Sequence, residues 1–143
     1  MTRNPLRRRL LLLLLPALTL LLLNSAHAQP AAPLNALKAK LKAGGVTMGF
    51  LVSMPSAPVA QILARTGADW LWIDMEHGAI DLPSMHAMIA ATQGTDCAPL
   101  VRVGQVDPVP VKPVLDAGAF GVIFPMVKTA EEARLAAASV RSC

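Results

Sequence analysis

The sequence of 143 residues predicts an α/β fold in which helices cover a parallel β-sheet. Apolar, strand-like segments alternate with helix-like segments, and this cycle recurs at a spacing of roughly 22 to 30 residues. The strand segments are continuous apolar runs, as expected for strands buried on both faces. A doubly wound sheet and a (β/α)₈ barrel both fit this pattern. No glycine-rich phosphate loop follows the first strand, which disfavours a nucleotide-binding fold.

Four segments are predicted as strands because they are apolar, rich in β-prone residues and bounded by turn signals. They are residues 46–52, 70–74, 100–103 and 121–124. Their spacing suits a barrel, but a complete (β/α)₈ barrel needs about 250 residues. The sequence therefore predicts four βα units, which is half of a barrel.

Five helices are predicted from caps, stops and apolar faces. They are residues 35–43, 58–65, 81–93, 107–118 and a last helix that begins at Thr129. Asp81 is the predicted cap of the third, Asp107-Pro108 opens the fourth, and Thr129 with Glu132 forms a capping box on the fifth. Core positions on the last four helices are predicted at Val59, Ile62, Leu63, Leu82, Met85, Met88, Ile89, Val111, Val114, Leu115, Ala133, Leu135 and Ala136.

The formal net charge of +4 is concentrated at the N-terminus. Four arginines precede a charge-free, leucine-rich run that ends at Leu23, and an Ala-x-Ala sequence follows at Ala26 to Ala28. This pattern predicts a secretory signal peptide at residues 1–28, a linker at 29–36 and one domain at 37–143. We expect export to the periplasm or medium without a stable membrane anchor, since the apolar run is shorter than a bilayer span.

Without residues 1–28 the chain carries nine basic and nine acidic side chains, because four of its 13 Lys and Arg lie in that segment and none of its nine Asp and Glu does. Nucleic-acid binding is therefore not expected, since no basic cluster with interleaved aromatic residues is left. The spacing of Cys97 and Cys143 matches no metal or redox motif, and Cys97 is predicted to be a buried thiol.

Chemically versatile residues follow the predicted strands. Asp74, Glu76 and His77 come at the end of the second strand, Arg102 ends the third, and Asp116 lies in the segment that leads to the fourth. Because active sites of parallel α/β folds lie at the carboxyl ends of strands, these side chains are candidates for one site. Simpler alternatives stay open at this point: solvated acids, a turn histidine and a structural ion pair for Arg102.

Four segments resemble the HpcH/HpaI aldolase/citrate lyase family. They are residues 70–78 (WLWIDMEHG), 99–103 (PLVRV), 114–119 (VLDAGA) and 121–126 (GVIFPM), and the likeness extends from about Leu37 to the last residue. The resemblance implies a (β/α)₈ TIM barrel, usually hexameric. Such enzymes cleave 2-keto-3-deoxy or 4-hydroxy-2-oxo acids to pyruvate and an aldehyde with a divalent metal, Mg²⁺, Mn²⁺ or Co²⁺.

The resemblance also implies roles for the candidate residues. His77 matches the acid–base histidine of the family, and Asp116 matches the aspartate that orients and polarises it. Arg102 matches the arginine that binds the keto-acid oxygens and stabilises the enolate. Asp74 and Glu76 match acids close to the metal that act through its bound waters.

The chain also departs from the family pattern. The direct metal ligands of the family lie on the fifth and sixth strands, beyond residue 143, so we expect a fragment with the N-terminal half of the barrel and little activity alone. Leu51 stands where some relatives have a substrate-lining aromatic residue. The exposed edge of the fourth strand is expected to pair with another chain. Two alternatives are an acyl-CoA lyase of the citramalyl- or malyl-CoA type and a non-catalytic exported half barrel that binds keto-acids.

Overall fold

The computed structural model describes residues 35–141. The predicted signal peptide, most of the predicted linker and Cys143 lie outside these residues. Four strands, β1 (Gly49–Val52), β2 (Trp70–Asp74), β3 (Ala98–Arg102) and β4 (Gly121–Ile123), form one sheet. Five helices, α1 (Ala36–Lys42), α2 (Ala57–Ala64), α3 (Leu82–Ala90), α4 (Val111–Asp116) and α5 (Ala130–Ser139), alternate with them.

All neighbouring strands are parallel, and their order in the sheet is β1-β2-β3-β4. Right-handed crossovers that always step to the next strand in the same direction place every crossover helix on one face. This is the arrangement of a (β/α)₈ barrel, whereas a doubly wound sheet reverses direction and has helices on both faces. The prediction of four successive βα units of a barrel is therefore confirmed.

One face of the sheet, called here the helix-covered face, packs against α2, α3 and α4. Leu71, Ile73 and Val101 on this face are fully buried. They form the core together with side chains of the helices, among them Ala60, Ala64, Met85, Met88, Ile89 and Val114. Burial of such side chains contributes about 1.5–3 kcal/mol each and is the main source of stability.

The other face, called here the open face, carries the alternate residues of the same strands. Register aligns Leu51 with Trp72 and Trp72 with Leu100, and it aligns Arg102 with both Asp74 and Ile123. Leu51 is 53% exposed. Trp72, Leu100 and Ile123 are only partly buried. Successive side chains of a strand point to opposite faces, so the open face is separate from the core.

Several predicted element boundaries are confirmed. β2 has the predicted bounds, Asp81 caps α3 by accepting the Ser84 N–H at 2.9 Å, and the capping box of Thr129 and Glu132 is present on α5.

Cys97 is buried and not disulfide-bonded, as predicted. Burial raises the pKa of its thiol to about 11, so the thiol is protonated near neutral pH and unreactive.

Other predictions of local structure are wrong. α4 begins at Val111, because Asp107 instead accepts the Val109 N–H and closes a turn. β1 begins at Gly49, and the exposed residue before it, Met48, donates its N–H to the Asp69 carboxylate.

Four predicted core side chains, Ile62, Leu82, Ala133 and Leu135, are exposed. The buried positions are held by small residues, Ala60 and Ala64 on α2 and Ala136 and Ser139 on α5. A small side chain at the contact lets a helix approach its neighbours closely.

Along the part of the chain that the structure covers, no helix has the length and apolar character to cross a membrane.

Candidate active site

The chain turns sharply where β2 ends, and the carboxylate of Asp74 organises this turn. Asp74 is 1% exposed, and its Oδ1 accepts the backbone N–H groups of Glu76 at 3.0 Å and His77 at 3.2 Å. The Met75 N–H donates to the Arg102 carbonyl at 3.0 Å and ties the turn to β3. The backbone therefore presents Glu76 and His77 at the carboxyl edge of the sheet.

Gly78 ends this turn at a position that has no room for a side chain. A Cβ atom at Gly78 would lie 2.4 Å from the Asp74 carbonyl oxygen and 2.5 Å from that of Ser53. Both neighbours are backbone atoms and cannot rotate away. The close approach holds the turn after β2 against the end of β1.

Arg102 lies beside Asp74 in the register of β2 and β3, and the two side chains form a bidentate ion pair. Nε donates to Oδ1 at 2.9 Å and Nη2 donates to Oδ2 at 2.5 Å. The hydrogen bonds from Arg102 hold the pKa of the Asp74 carboxyl below its ordinary value, against the opposing effect of burial. The same pair raises the pKa of Arg102, so both groups are charged near neutral pH.

Glu76 connects Arg102 to His77. Its Oε2 lies 3.1 Å from Nη1 of Arg102 and 3.5 Å from Nε2 of His77. The Arg102 side chain is 17% exposed, whereas that of His77 is 70% exposed. The imidazole is thus open to an incoming molecule, whereas the guanidinium is largely buried.

The guanidinium of Arg102 keeps part of its binding capacity. An arginine has five N–H donors, and two of them donate to Asp74, while Nη1 lies 3.1 Å from Oε2 of Glu76 in an ion pair. The donors that Asp74 does not use can bind the oxygens of a carboxylate or of a keto-acid. Two carboxylates surround one guanidinium, so the three groups together carry a formal net negative charge, and an anionic ligand binds here more weakly than at an isolated arginine.

Asp116 lies at the opposite edge of the sheet. It is the last residue of α4, which runs antiparallel to the strands, and β4 begins five residues later. Its carboxylate is 58% exposed and pairs with Lys112 at 3.0 Å. Within one chain the structure therefore does not bring Asp116 to His77, and the carboxylate that His77 contacts is Glu76.

Trp72 is a member of the site that sequence reasoning did not identify. The guanidinium carbon of Arg102 lies 5.1 Å from the centroid of the Trp72 ring, which is within the range of a cation–π contact. The signal was present in the strand pattern, because residues 72 and 74 lie on the same face of β2 and Arg102 follows on the next strand.

The acids near the candidate site do not form a metal site by themselves. Within residues 35–141 no three His, Cys, Asp or Glu side chains lie together in a way that would hold a metal ion. Asp74 and Glu76 are the acids nearest to the candidate site, and both already bind Arg102. The described residues alone therefore do not fit a divalent metal.

Comparison with known proteins gives consistent results. The family model "HpcH/HpaI aldolase/citrate lyase" matches residues 47–143. A 4-hydroxy-2-oxovalerate aldolase from Novosphingobium aromaticivorans is 44% identical over 103 residues, which is 71% of this chain and 39% of the relative. A 4-hydroxy-2-oxo-heptane-1,7-dioate aldolase from Klebsiella pneumoniae is 41% identical over 107 residues, 75% of this chain and 40% of the relative.

Among solved structures, an HpcH/HpaI aldolase/citrate lyase family protein from Burkholderia cenocepacia superimposes with a TM-score of 0.69 at 36% sequence identity. The match covers 74% of this chain and 42% of that protein. The chain thus spans about two fifths of the length of the curated relatives it matches.

Proposed function

The chain belongs to the HpcH/HpaI aldolase/citrate lyase family, and from this premise we propose that it supplies part of the active site of a carbon–carbon lyase. The proposed reaction is retro-aldol cleavage of a 2-keto-3-deoxy or 4-hydroxy-2-oxo acid to pyruvate and an aldehyde. The observation that carries the proposal is the group at the carboxyl edge. An exposed imidazole and an arginine with N–H donors that Asp74 does not use lie within 3.5 Å and 3.1 Å of the same Glu76 oxygen.

The chemistry follows from these two groups. His77 accepts the proton of the hydroxyl on carbon 4, and its exposure allows this contact. The carbon 3–carbon 4 bond then breaks, the aldehyde leaves, and the electron pair passes into the keto group as an enolate. The free N–H donors of Arg102 stabilise the developing oxyanion. A proton returned to carbon 3 gives pyruvate, so no oxidant or reductant is needed.

For the assembled enzyme we propose a divalent cofactor, Mg²⁺, Mn²⁺ or Co²⁺, whose direct ligands come from outside residues 35–141. Asp74 and Glu76 are the described acids that such an ion would approach. Isothermal titration of the full chain with Mn²⁺ tests whether this chain binds the ion without the other ligands. We expect no tight binding by this chain alone, and submicromolar binding would contradict the proposal.

The role proposed for Asp116, to orient His77, requires two copies of the chain. The carboxylate at the amino edge of one copy would have to meet the histidine at the carboxyl edge of another, which fits the hexamer proposed from the family. Single variants His77→Cys and Asp116→Cys, each in a Cys97→Ser, Cys143→Ser background, test this geometry. Mixed and oxidised, they should form a disulfide-linked heterodimer, and its absence would exclude the role.

The proposed activity is tested by two measurements on the same protein. We expect the full chain to bind oxalate, a mimic of the pyruvate enolate, and Arg102→Met to abolish this binding while His77→Asn retains it. We also expect little pyruvate release from 4-hydroxy-2-oxo acids, with or without Mg²⁺ or Mn²⁺. Robust metal-dependent release would refute the expectation of low activity, and unchanged binding in Arg102→Met would refute the site.

The two alternatives are separate outcomes of these assays. Cleavage of citramalyl- or malyl-CoA in preference to keto-acids would identify an acyl-CoA lyase. Oxalate or pyruvate binding without turnover, together with no disulfide between His77→Cys and Asp116→Cys chains, would identify a keto-acid-binding protein.

We further propose that the protein is exported by the signal peptide at residues 1–28 and is periplasmic or secreted. The supporting observation is the arginine-rich start, the leucine-rich run and the Ala-x-Ala sequence. Mass spectrometry of the protein from the periplasm and medium should find an N-terminus at Gln29. Recovery of only the full-length chain in the cytoplasm would contradict export.

A further inference from the structure

We propose that Trp72 is a positioning residue that holds the Arg102 guanidinium ready for a ligand oxyanion. The inference rests on the proposed function in so far as Arg102 binds the substrate. The immobilisation of Arg102 by Trp72 is a separate physical claim and is tested separately.

Two kinds of contact restrain the guanidinium. Nε and Nη2 donate to the carboxylate of Asp74, and Nη1 forms an ion pair with Glu76. The guanidinium carbon also lies over the indole of Trp72, 5.1 Å from the ring centroid. The hydrogen bonds to Asp74 involve only the Nε–Nη2 edge of the group, and an aromatic ring against the guanidinium limits its tilting about that edge.

Trp72 is placed by the sheet itself. It stands two residues before Asp74 on β2, and its registered neighbours on the adjacent strands are Leu51 and Leu100. Arg102 is two residues beyond Leu100 on the same face, which is the diagonal position that long and aromatic side chains reach. The contact therefore depends on two paired strands and not on a mobile loop.

The unpartnered indole N–H points to the ring face as the useful part of this side chain. Nε1 of Trp72 is buried and has no hydrogen-bond partner among residues 35–141. A buried donor without a partner is unfavourable by about 1–3 kcal/mol. A leucine would fill the space between Leu51 and Leu100 without this cost. Leucine lacks the negative ring face of an indole, and tryptophan provides the strongest cation–π contact. The contact with Arg102 is therefore the property that favours an indole at this position.

Pre-positioning matters because arginine is flexible. A free arginine side chain loses up to about 2 kcal/mol of rotamer entropy when it is fixed. If Trp72 and the carboxylates fix Arg102 before a ligand arrives, that cost is not subtracted from the binding free energy. The N–H donors that Asp74 does not use then face the ligand in one orientation.

The test uses the full chain with ¹⁵N-labelled arginine and measures rotation of the Arg102 guanidinium by NMR, with Arg102→Met to assign the signals. We expect hindered rotation in the wild type. Trp72→Phe, which keeps an aromatic face and removes the unpartnered donor, should preserve it. Trp72→Leu should speed rotation at least about tenfold, as expected from the loss of a partly desolvated cation–π contact. Unchanged rotation in Trp72→Leu overturns the proposal.

Oxalate affinity is the second measurement. Trp72→Phe should stay within about threefold of the wild type, whereas Trp72→Leu should bind about five- to tenfold more weakly. Trp70→Leu is the matched control, since Trp70 lies on the same strand and face but one pair further from Arg102, and it should change neither measurement. Equal weakening by Trp70→Leu and Trp72→Leu would indicate a structural effect and overturn the proposal.

The two measurements separate the possible failures. If the wild type does not bind oxalate, the proposed function fails, and guanidinium rotation still decides the role of Trp72. If Trp72→Leu does not fold, Trp72→Met provides the same comparison, because methionine fills irregular space without an aromatic face.

Discussion

The helix-covered face and the open face are built from alternate residues of the same four strands, yet they differ in chemistry. On the helix-covered face Leu71, Ile73 and Val101 have no exposed surface. On the open face Leu51 is half-exposed, and next to the apolar residues stands the ion pair of Asp74 and Arg102. One face excludes water and the other presents charge at its carboxyl edge.

This difference shows how a short chain separates stability from chemistry. Apolar burial on the helix-covered face is non-directional and contributes most of the folding free energy. A buried ion pair contributes little net stability, because desolvation offsets the attraction between the charges. The ion pair of Asp74 and Arg102 therefore mainly fixes the positions of the side chains in the candidate site. Because alternate residues of a strand point to opposite faces, this ion pair stays separate from the core.

The largest expected effect compares two leucines on neighbouring strands. Leu71→Ala on the helix-covered face should lower the free energy of unfolding by about 2–5 kcal/mol, because it leaves a cavity in a closed core. Leu51→Ala on the open face should lower it by less than about 1 kcal/mol, in proportion to its smaller burial. Urea unfolding followed by circular dichroism measures both.

The same pair of variants reports on association. A loss of about 2 kcal/mol or more for Leu51→Ala would mean that the open face is covered at β1 in solution. The pairing expected for the edge of β4, at the other end of the sheet, is tested separately. Sedimentation velocity supplies the independent readout. A monomer at all concentrations would contradict that expectation.

The next effect compares a buried ion pair with an exposed one. Arg102→Met should destabilise the protein by about 3 kcal/mol, since it leaves the Asp74 carboxylate buried without its partner. Lys40→Met breaks the pair of Lys40 and Asp69, whose lysine is 46% exposed, and should cost less than about 1 kcal/mol. Equal losses of unfolding free energy would show that breaking the ion pair on the open face is no more destabilising than breaking the one on the surface.

A smaller effect concerns the turn that presents the site. Gly78→Ala should cost about 1–3 kcal/mol, because the added Cβ meets two backbone oxygens. Gly104→Ala is the matched control, since a Cβ there meets nothing within 4 Å, and its stability should stay within about 0.5–1 kcal/mol of the wild type. Thermal unfolding distinguishes them, and similar melting temperatures would contradict the close approach.

The smallest expected effect is a dependence of stability on pH. Arg102 lowers the pKa of Asp74 in the folded protein, so the unfolded chain binds a proton first as the solution is acidified. The stabilisation is complete above about pH 4, the ordinary pKa of an aspartate, and is lost as the pH falls through the lower folded value.

Asp74→Asn should therefore flatten the decline of unfolding free energy below about pH 4, even though the variant is less stable at pH 7. Asp81→Asn is the control on the surface, where the Ser84 hydrogen bonds lower the pKa of an exposed carboxyl. Its flattening should be smaller. A steeper decline in Asp74→Asn than in the wild type would mean that folding raises the pKa of Asp74 instead of lowering it.

The sequence predicted much of the local structure, and the reason is that the signals are local. β2 lies where its apolar run lies, and Thr129 with Glu132 starts α5, because the cap and its acceptors are within three residues of each other. Predictions failed where a local pattern had more than one solution. Asp107-Pro108 can open a helix or close a turn, and the apolar Ile62 was preferred over the alanines that actually form the contact.

The sequence by itself also determined that Asp74, Glu76, His77 and Arg102 follow neighbouring strands and meet at one edge, since parallel strands align their carboxyl ends. Only the tertiary structure decided which atoms meet. The register of β2 and β3 joins Arg102 to Asp74 across 28 residues and brings it over Trp72. The direction of α4 places Asp116 at the other edge. Register and helix direction arise from packing between distant segments, which no local pattern of residues encodes.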